Sequence, residues 1–258
     1  MKYGFIGCGN MGGALARAAA KAVGGENIWL ADADFLKAES LSGELGAKVA
    51  TAEEIAKKCD YIVLGVKPQN LGDLMQSLPL SEKAVLVSMA AGVTLQRLAS
   101  LAKGNPLIRM MPNTPVGVGA GRILYSARAE KEQIEGFLKL FEKAGALMEL
   151  EEKLIDAGTA VSGCGPAFVC LFIEALADGG VACGLPREQA MELAAGVVMG
   201  TGKMVLESGL HPAELKDAVC SPGGSTIEGV HALEAGAFRS AAAEAVIKSY
   251  QRTMELGK

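Results

Sequence analysis

The sequence predicts an α/β protein with an N-terminal Rossmann-type doubly wound sheet and an all-α C-terminal domain. Up to about residue 153, short apolar runs alternate with helical stretches. In most of these runs the apolar residues are continuous rather than alternating, which is typical of strands that are buried on both faces of a parallel sheet. Beyond that point strand-like runs stop and helical stretches follow one another. We therefore predict two domains, 1–153 and 154–258.

The predicted elements of the first domain alternate along the chain. Strands are expected at 2–6, 27–31, 48–49, 61–66, 84–88, 106–111 and 121–125. Helices are expected at 14–22, from about 35, and at 53–58, 71–77 and 95–102. In the second domain, helices are expected at 154–183, 187–207, 213–219, 226–235 and 238–256. Pro186 and Pro212 lie at or near helix starts, where a missing N–H costs nothing.

The composition argues against several classes of function. Half of the 258 residues are hydrophobic, which suits a packed core and argues against disorder. The formal net charge is −4 without a basic cluster, so nucleic acid is not an expected partner. The six cysteines form no CxxC pair or zinc-type spacing, and we expect reduced thiols in a cytoplasmic protein without a bound metal. The first strand begins at Lys2, so no signal peptide is expected.

The C-terminal helices are apolar on nearly every face. Such helices must be buried on all sides, and a domain of about a hundred residues cannot do this alone. We therefore expect a partner chain, as in a homodimer. The longest uncharged stretch lies between Asp156 and Glu174. It is shorter than a membrane span and contains a Gly-Cys-Gly-Pro break, so a buried helix pair is favoured over a membrane anchor.

A glycine turn between the first strand and the first helix is the most informative motif. Gly7, Gly9 and Gly12 form a GxGxxG pattern directly after the strand that ends at Ile6. In dinucleotide-binding folds the first glycine permits the turn, the second lets the backbone approach a pyrophosphate, and the third lets the helix pack on the strand. The helix N-terminus then attracts the phosphates. This context favours a nicotinamide dinucleotide site over a purely structural turn.

The end of the second strand carries acidic residues. Asp32 lies about 20 residues beyond the glycine turn, where a carboxylate usually binds the adenosine ribose. Taken alone, it favours NAD, because it repels a 2′-phosphate. Lys37 lies close enough in the sequence to compensate. Asp34 is interpreted as the N-cap of the next helix.

Three further strand ends would meet at the same edge of the sheet, where ligands of such folds bind. Lys67 lies beside Pro68, and a solvated lysine is about as consistent with this position as a ligand contact. The segment 88–92 has only small side chains apart from one methionine, so a flat ring could lie against it. Asn113 lies between two prolines and could bind a nicotinamide carboxamide or a substrate, or simply form an Asx turn.

The second domain contains one conspicuous polar loop, from Ser221 to Thr226. Two glycines and three hydroxyl groups directly before a helix can form a cradle for a carboxylate or phosphate, although a helix cap with a turn explains them equally well. His211 and His231 are poor catalytic candidates, since one precedes a proline and the other is placed mid-helix. A reaction that needs no strong acid or base, such as hydride addition to a protonated imine, fits this set of candidate residues.

Taken together, the motifs resemble the pyrroline-5-carboxylate reductase family. The matching segments are GFIGCGNMG, GVKPQ, SMAAGVTL, RMMPNTP, AVSGCGPAF, HPAELKD and CSPGGSTIEGVHALE. They span nearly the whole chain in family order, and the last resembles the family signature. The resemblance implies a Rossmann domain, an interlocking helical dimer domain, and NAD(P)H-dependent reduction of 1-pyrroline-5-carboxylate to L-proline. The family usually favours NADPH, whereas Asp32 favours NADH.

The resemblance also implies roles for individual residues. A pyrophosphate and nicotinamide site is implied for Ile6, Gly7, Cys8, Gly9, Asn10, Met11, Gly12, Val66, Lys67, Pro68, Ala90, Ala91 and Gly92, beside Asp32 and Asn113. The substrate carboxylate and ring would be bound by Ser221, Gly223, Gly224, Ser225 and Thr226, in a loop of the partner subunit. The Thr226 hydroxyl would hydrogen-bond the imine nitrogen.

Two other functions remain open at this stage. A β-hydroxyacid dehydrogenase also combines a glycine turn with a helical domain, but it needs a catalytic lysine on the first long helix of that domain. The predicted helix 154–183 contains no lysine, and only Lys153 precedes it. A non-catalytic NAD(P)-sensing protein would need the glycine turn but not the Ser221–Thr226 loop.

Overall fold

The computed structural model describes residues 1–256, and in them eight strands form one sheet. The strands are β1 (Tyr3–Ile6), β2 (Ile28–Ala31), β3 (Lys48–Val49), β4 (Tyr61–Leu64), β5 (Val85–Ser88), β6 (Leu107–Met111), β7 (Gly121–Arg128) and β8 (Gly145–Glu149). Their order in the sheet is β3-β2-β1-β4-β5-β6-β7-β8. The predicted Rossmann-type doubly wound sheet is confirmed.

The strand order reverses between β1 and β4, which are direct neighbours. The first six strands run parallel to one another, with Ile6 opposite Ala31 on one side and Leu64 on the other. Ligands of such sheets bind at this switch point, beyond the carboxyl ends of the strands. The glycine turn follows β1 and therefore lies there.

The sheet departs from an all-parallel arrangement at its far side. β6 and β7 pair antiparallel, because the short link between them, which includes a 3-10 turn over Thr114–Val118, cannot form a parallel crossover. β8 then pairs parallel to β7. Neither β8 nor the helix before it was expected from the sequence. β8 is a short edge strand in which no residue is fully buried.

Helices of the nucleotide-binding part pack on both faces of the sheet. They are α1 (Asn10–Val23), α2 (Phe35–Leu45), α3 (Ala52–Lys58), α4 (Pro68–Ser77), α5 (Leu95–Leu101) and α6 (Lys131–Leu140). One core includes Phe5, Leu15 and Phe137, and a second includes Ile62, Leu71 and Leu86. The strands are buried throughout from β1 to β5, apart from β3, as their continuous apolar sequences predict.

The remaining helices are α7 (Glu152–Ser162), α8 (Gly165–Ala182), α9 (Arg187–Ser208), α10 (Pro212–Val219), α11 (Ser225–Ala235) and α12 (Phe238–Leu256). The predicted helix 154–183 is thus two helices, broken at the Gly163-Cys164 turn. The chain divides into one compact unit of 1–164 with 249–258 and a second of 165–248. The domain boundary after residue 153 stays a prediction.

A buried ion-pair cluster attaches α7 to the sheet. Arg109 on β6 is 1% exposed, and its guanidinium lies 2.5 Å from an Asp156 carboxylate oxygen and 3.7 Å from Glu152. Glu152 also accepts a hydrogen bond of 2.5 Å from the Leu95 amide at the start of α5. This cluster therefore connects β6, α5 and α7.

One stretch of the described residues is long and apolar enough to cross a membrane by length and composition. It is Glu152–Ala182, with a mean hydropathy of 1.8. It comprises α7 and α8 with the break between them. The pair of helices agrees with the sequence-based interpretation, but only 11% of its most apolar window is buried within one chain.

Candidate active site

The turn between β1 and α1 requires glycine at two of its three motif positions. Gly7 has φ +109°, and a Cβ there would lie 2.5 Å from the Gly65 carbonyl oxygen. A Cβ at Gly12 would lie 2.0 Å from the Gly7 carbonyl oxygen. The first of these glycines therefore lets β1 approach the end of β4, and the second lets α1 pack against the turn.

Gly9 behaves differently, because the protein itself does not need a glycine there. Its φ is −67°, and a Cβ would meet no atom within 4 Å. The first helical hydrogen bond of α1 runs from the Gly13 amide to the Gly9 carbonyl, at 2.7 Å. The amides of residues 10–12 precede it and remain available to a ligand at the helix N-terminus. This open, amide-lined surface fits a pyrophosphate.

Asp32 is held in place at the end of β2. One of its carboxylate oxygens accepts a hydrogen bond from the Cys8 amide at 2.6 Å, and the other accepts one from the Asp34 amide at 2.9 Å. Asp34 is at the N-cap position of α2, as predicted, but its side chain makes no capping hydrogen bond. It lies 3.6 Å from Lys37 instead.

A cavity of about 740 Å³ opens beside the turn. A cavity of this volume suits a small-molecule ligand. Six predicted residues line it: Ile6, Gly7, Gly9, Asp32, Val66 and Lys67. Phe35 and Thr51 also line it and were not predicted. Their positions could have indicated this, since Phe35 follows the carboxyl end of β2 and Thr51 follows that of β3.

The thiol of Cys8 lies beneath this cavity in the phosphate turn. It is buried and donates a hydrogen bond of 3.5 Å to the Ala31 carbonyl. Burial, with a smaller contribution from the Asp32 charge, raises the pKa of the Cys8 thiol to about 11. The thiol is therefore protonated and unreactive near neutral pH.

The other predicted contacts follow β4 and β5. Lys67 is the exposed N-cap residue of α4, and Pro68 is the first helical residue. Ala90 is buried, and its amide donates a hydrogen bond of 3.3 Å to the Ser88 hydroxyl. Ala91 and Gly92 follow in a turn, where Gly92 has φ +74°. Residues 90–92 do not belong to the cavity lining, and their contact with a nicotinamide stays a prediction.

Asn113 is buried and already bonded to protein at both ends of its amide group. Its nitrogen donates to the Ser162 carbonyl at 2.9 Å, and its oxygen accepts from the Arg122 amide at 2.8 Å. A contact from this side chain to a cofactor would compete with both bonds. The geometry therefore favours a structural role, in which Asn113 connects the loop after β6 to α7 and β7.

The polar loop of the second unit ends in a helix N-terminus without a side-chain cap. Gly223 has φ +68°, and the Gly224 amide donates to the Ser221 carbonyl at 3.0 Å, which closes the turn. Gly224 is the N-cap of α11 and makes no side-chain capping bond. Ser225 and Thr226 are exposed at the helix start. Free amides and hydroxyl groups at such a start suit a carboxylate.

Neither histidine belongs to these features. The His211 ring accepts a hydrogen bond of 3.2 Å from the Ala213 amide and so caps α10, and His231 lies within α11. Among residues 1–256, no cluster of three or more metal-ligating side chains occurs. The lysine that a hydroxyacid dehydrogenase would need is absent from α8, whereas Lys153, which was expected to precede the first helix, lies in the first turn of α7, where it is exposed and pairs with Glu151 at 2.6 Å.

Comparisons with known proteins agree with this geometry. The family model described as pyrroline-5-carboxylate reductase dimerisation matches residues 152–256, and the model described as NADP oxidoreductase, coenzyme F420-dependent, matches residues 2–92. A pyrroline-5-carboxylate reductase from Methanosarcina acetivorans is 42% identical over 100% of this chain and 98% of its own. The chain belongs to the pyrroline-5-carboxylate reductase family.

Other members of the pyrroline-5-carboxylate reductase family are similar over their full length. The Arabidopsis thaliana enzyme is 41% identical and covers 100% of this chain and 96% of its own. A solved pyrroline carboxylate reductase from Plasmodium falciparum, with NADP bound, has a TM-score of 0.88 and 32% identity, over 100% of this chain and 98% of that one. The helical segment is the family's dimerisation domain, which indicates a homo-oligomer.

Proposed function

We propose that this protein reduces 1-pyrroline-5-carboxylate to L-proline with NADPH or NADH, as the last step of proline biosynthesis. The full-length similarity to pyrroline-5-carboxylate reductases carries the proposal. Two local features support it independently. One is the open amide surface at Gly9, and the other is the uncapped start of α11.

The dinucleotide would lie along the carboxyl edge of the sheet. The amides after Gly9 would bind its pyrophosphate, and Asp32 would bind its adenosine ribose. Val66, Lys67 and Pro68, with the segment 90–92, would lie beside the nicotinamide. When bound, the reduced nicotinamide supplies a hydride.

The Ser221–Thr226 loop would bind the substrate. The amides at the start of α11 would receive the carboxylate, with Gly223 and Gly224 allowing a close approach. The Thr226 hydroxyl would accept a hydrogen bond from the protonated ring nitrogen. Reduction adds a hydride to the imine carbon and leaves the proton on nitrogen, so the chain's task is orientation rather than strong acid catalysis.

We further propose a homodimer in the cytoplasm, with a small-molecule substrate and no nucleic-acid or membrane partner. An apolar groove in the second unit supports the dimer. Its volume is about 560 Å³, and it is lined by side chains of α8, α11 and α12 that include Leu171, Phe172 and Phe238. Leu171 is 68% exposed in the single chain, and a second copy of the helical unit would cover such a surface. We keep 1–153 and 154–258 as the two functional domains.

Steady-state kinetics with 1-pyrroline-5-carboxylate test the reaction. We expect oxidation of NADPH or NADH that depends on the substrate, followed by the absorbance of the reduced coenzyme. Thr226→Ala should lower kcat by about ten- to a hundredfold, which corresponds to the loss of one hydrogen bond to a charged group. Its coenzyme affinity should stay at the wild-type value.

Thr201→Ala provides a matched control, because Thr201 is an exposed threonine of α9 outside the loop. Wild-type kinetics are expected for it. No turnover with either coenzyme in a folded protein would refute the proposed reaction. Unchanged kcat in Thr226→Ala would refute the role of the loop hydroxyl while leaving the reaction intact.

A further inference from the structure

We infer that the coenzyme site of this chain selects NADH over NADPH, and that Asp32 is the selecting residue. The inference rests on the function proposed above and specifies which coenzyme that site prefers. The two coenzymes differ only at the adenosine ribose, where NADPH carries a phosphate in place of the 2′-hydroxyl. The question is therefore which of these groups the end of β2 can accept.

Asp32 presents acceptors to the cavity in a fixed orientation. Its two oxygens are each held by one backbone amide, from Cys8 at 2.6 Å and from Asp34 at 2.9 Å. A carboxylate oxygen has two lone pairs, so each oxygen can accept one more hydrogen bond. The ribose hydroxyls can donate these bonds. A 2′-phosphate cannot, and its charge is repelled by the carboxylate.

Binding of a 2′-phosphate would need a cation at this end of the cavity. The only cationic side chain in the described lining is that of Lys67, which follows β4. β4 lies two strands away from β2, or about 10 Å at the usual strand spacing. Lys67 is therefore on the opposite side of the glycine turn from Asp32.

One cation on α2 and one on α1 are already paired with carboxylates. Lys37 lies 3.6 Å from Asp34 and does not line the cavity. Arg17 on α1 makes two hydrogen bonds of 2.7 Å to both carboxylate oxygens of Glu44. Recruiting either one for a phosphate would break an existing ion pair.

The neighbouring helix start adds negative charge at the same end. Thr51 and Ala52, at the start of α3, line the cavity, and two glutamates follow them directly. The Glu53 carboxylate accepts a hydrogen bond from its own amide, and the Glu54 carboxylate accepts one from the Thr51 amide. These bonds lower the pKa values of both carboxyl groups. Lys58 lies 3.4 Å from Glu54 and offsets part of this charge, so the carboxylate in the lining itself is that of Asp32, which suits a ribose with free hydroxyls.

The direct test is calorimetric titration of the wild-type protein with NAD⁺ and with NADP⁺. We expect NAD⁺ to bind at least tenfold more tightly. In Asp32→Ser, which removes the charge, the ratio of the two affinities should fall at least tenfold, because a hydrogen bond to a charged group is lost and a repulsion is relieved. Glu39→Gln is the matched control, since it removes one exposed charge from α2 outside the cavity lining.

The possible outcomes are distinct. Equal or tighter binding of NADP⁺ by the wild-type protein overturns the inference but leaves the proposed reduction intact. Binding of neither dinucleotide refutes the proposed function itself. An unchanged ratio in a folded Asp32→Ser variant removes Asp32 from the selection. If this variant fails to fold, the wild-type comparison still decides the preference. The Plasmodium falciparum relative has NADP bound, so a preference for NADH would differ from that protein.

Discussion

Gly9→Ala should weaken dinucleotide binding at least tenfold without disturbing the fold. Gly9 has φ −67°, which alanine adopts freely, and its Cβ would meet no protein atom within 4 Å. The substitution reduces the freedom of the unfolded chain, which stabilises by about 0.4–1 kcal/mol. It also replaces a glycine N-cap by alanine, which costs about the same amount. The free energy of unfolding should therefore change by less than about 1 kcal/mol.

The effect on binding should be much larger. A Cβ extends about 1.5 Å from the backbone, roughly half the distance between an amide nitrogen and a bonded phosphate oxygen. A pyrophosphate could not then reach the amides at the start of α1. Each lost hydrogen bond to a charged group costs about 1.5–3 kcal/mol, so the loss of one bond weakens affinity by about ten- to a hundredfold and the loss of two by about a hundred- to ten-thousandfold.

Thermal unfolding and calorimetric titration with NAD⁺ and NADP⁺ measure the two quantities separately. Gly43→Ala is the control: a Cβ there also meets nothing within 4 Å, but the residue lies within α2, away from the turn. It should bind as wild type. Gly12→Ala should instead destabilise the fold, because its Cβ would lie 2.0 Å from a backbone oxygen. Wild-type affinity in a folded Gly9→Ala variant would show that no pyrophosphate lies over this turn.

Three other predictions concern stability, reactivity and assembly. Arg109→Met should lower the free energy of unfolding by about 2 kcal/mol in urea titrations, since Asp156 loses its partner at 2.5 Å. Equal stability would mean that the ion-pair cluster makes no net contribution to stability. The rate of alkylation of Cys8, measured by mass spectrometry, should increase about tenfold per pH unit up to about pH 11. Only the thiolate reacts, and burial raises the pKa of the thiol to about 11. A rate that levels off near pH 8.5 would contradict this prediction. Leu171→Asp should shift the protein from dimer to smaller species in light scattering, and an unchanged mass would place the interface elsewhere.

Much of the fold could be predicted because the strands are buried and the helices between them are amphipathic. β1, β2, β4, β5 and β6 all lie within predicted apolar runs. β8 has a mostly exposed pattern and was not predicted. α6 before it was also missed, although it buries Phe137 and Leu140. The break between α7 and α8 was indicated by the Gly-Cys-Gly-Pro stretch, which favoured a helix pair, although 154–183 was also predicted as one helical segment.

The candidate site likewise has features that the sequence predicts and others that only the structure shows. The glycine spacing was sufficient to find the turn, because Gly7 and Gly12 satisfy backbone constraints and Gly9 keeps the helix N-terminus open to a ligand. The different constraints on Gly9 and Gly12 became visible only through distances. Asn113 illustrates the opposite case. Its sequence context is that of a ligand-binding loop, yet its hydrogen bonds go to Ser162 and Arg122, which are remote in the sequence.

The pattern of burial in the helical unit indicates that dimerisation is part of the folding of this unit rather than a later step. Between α8 and α9 only small residues are buried, namely Ala177, Ala190 and Ala194. Large side chains on the same helices point outward, including Leu171 and Met199, which is 75% exposed. A single copy therefore buries too little apolar area in this unit to offset the entropy of ordering it. A second copy would supply that burial, so the stability of the unit should depend on protein concentration. The midpoint of thermal unfolding should accordingly rise with protein concentration, whereas a midpoint that does not change with concentration would mean that the single chain folds unaided.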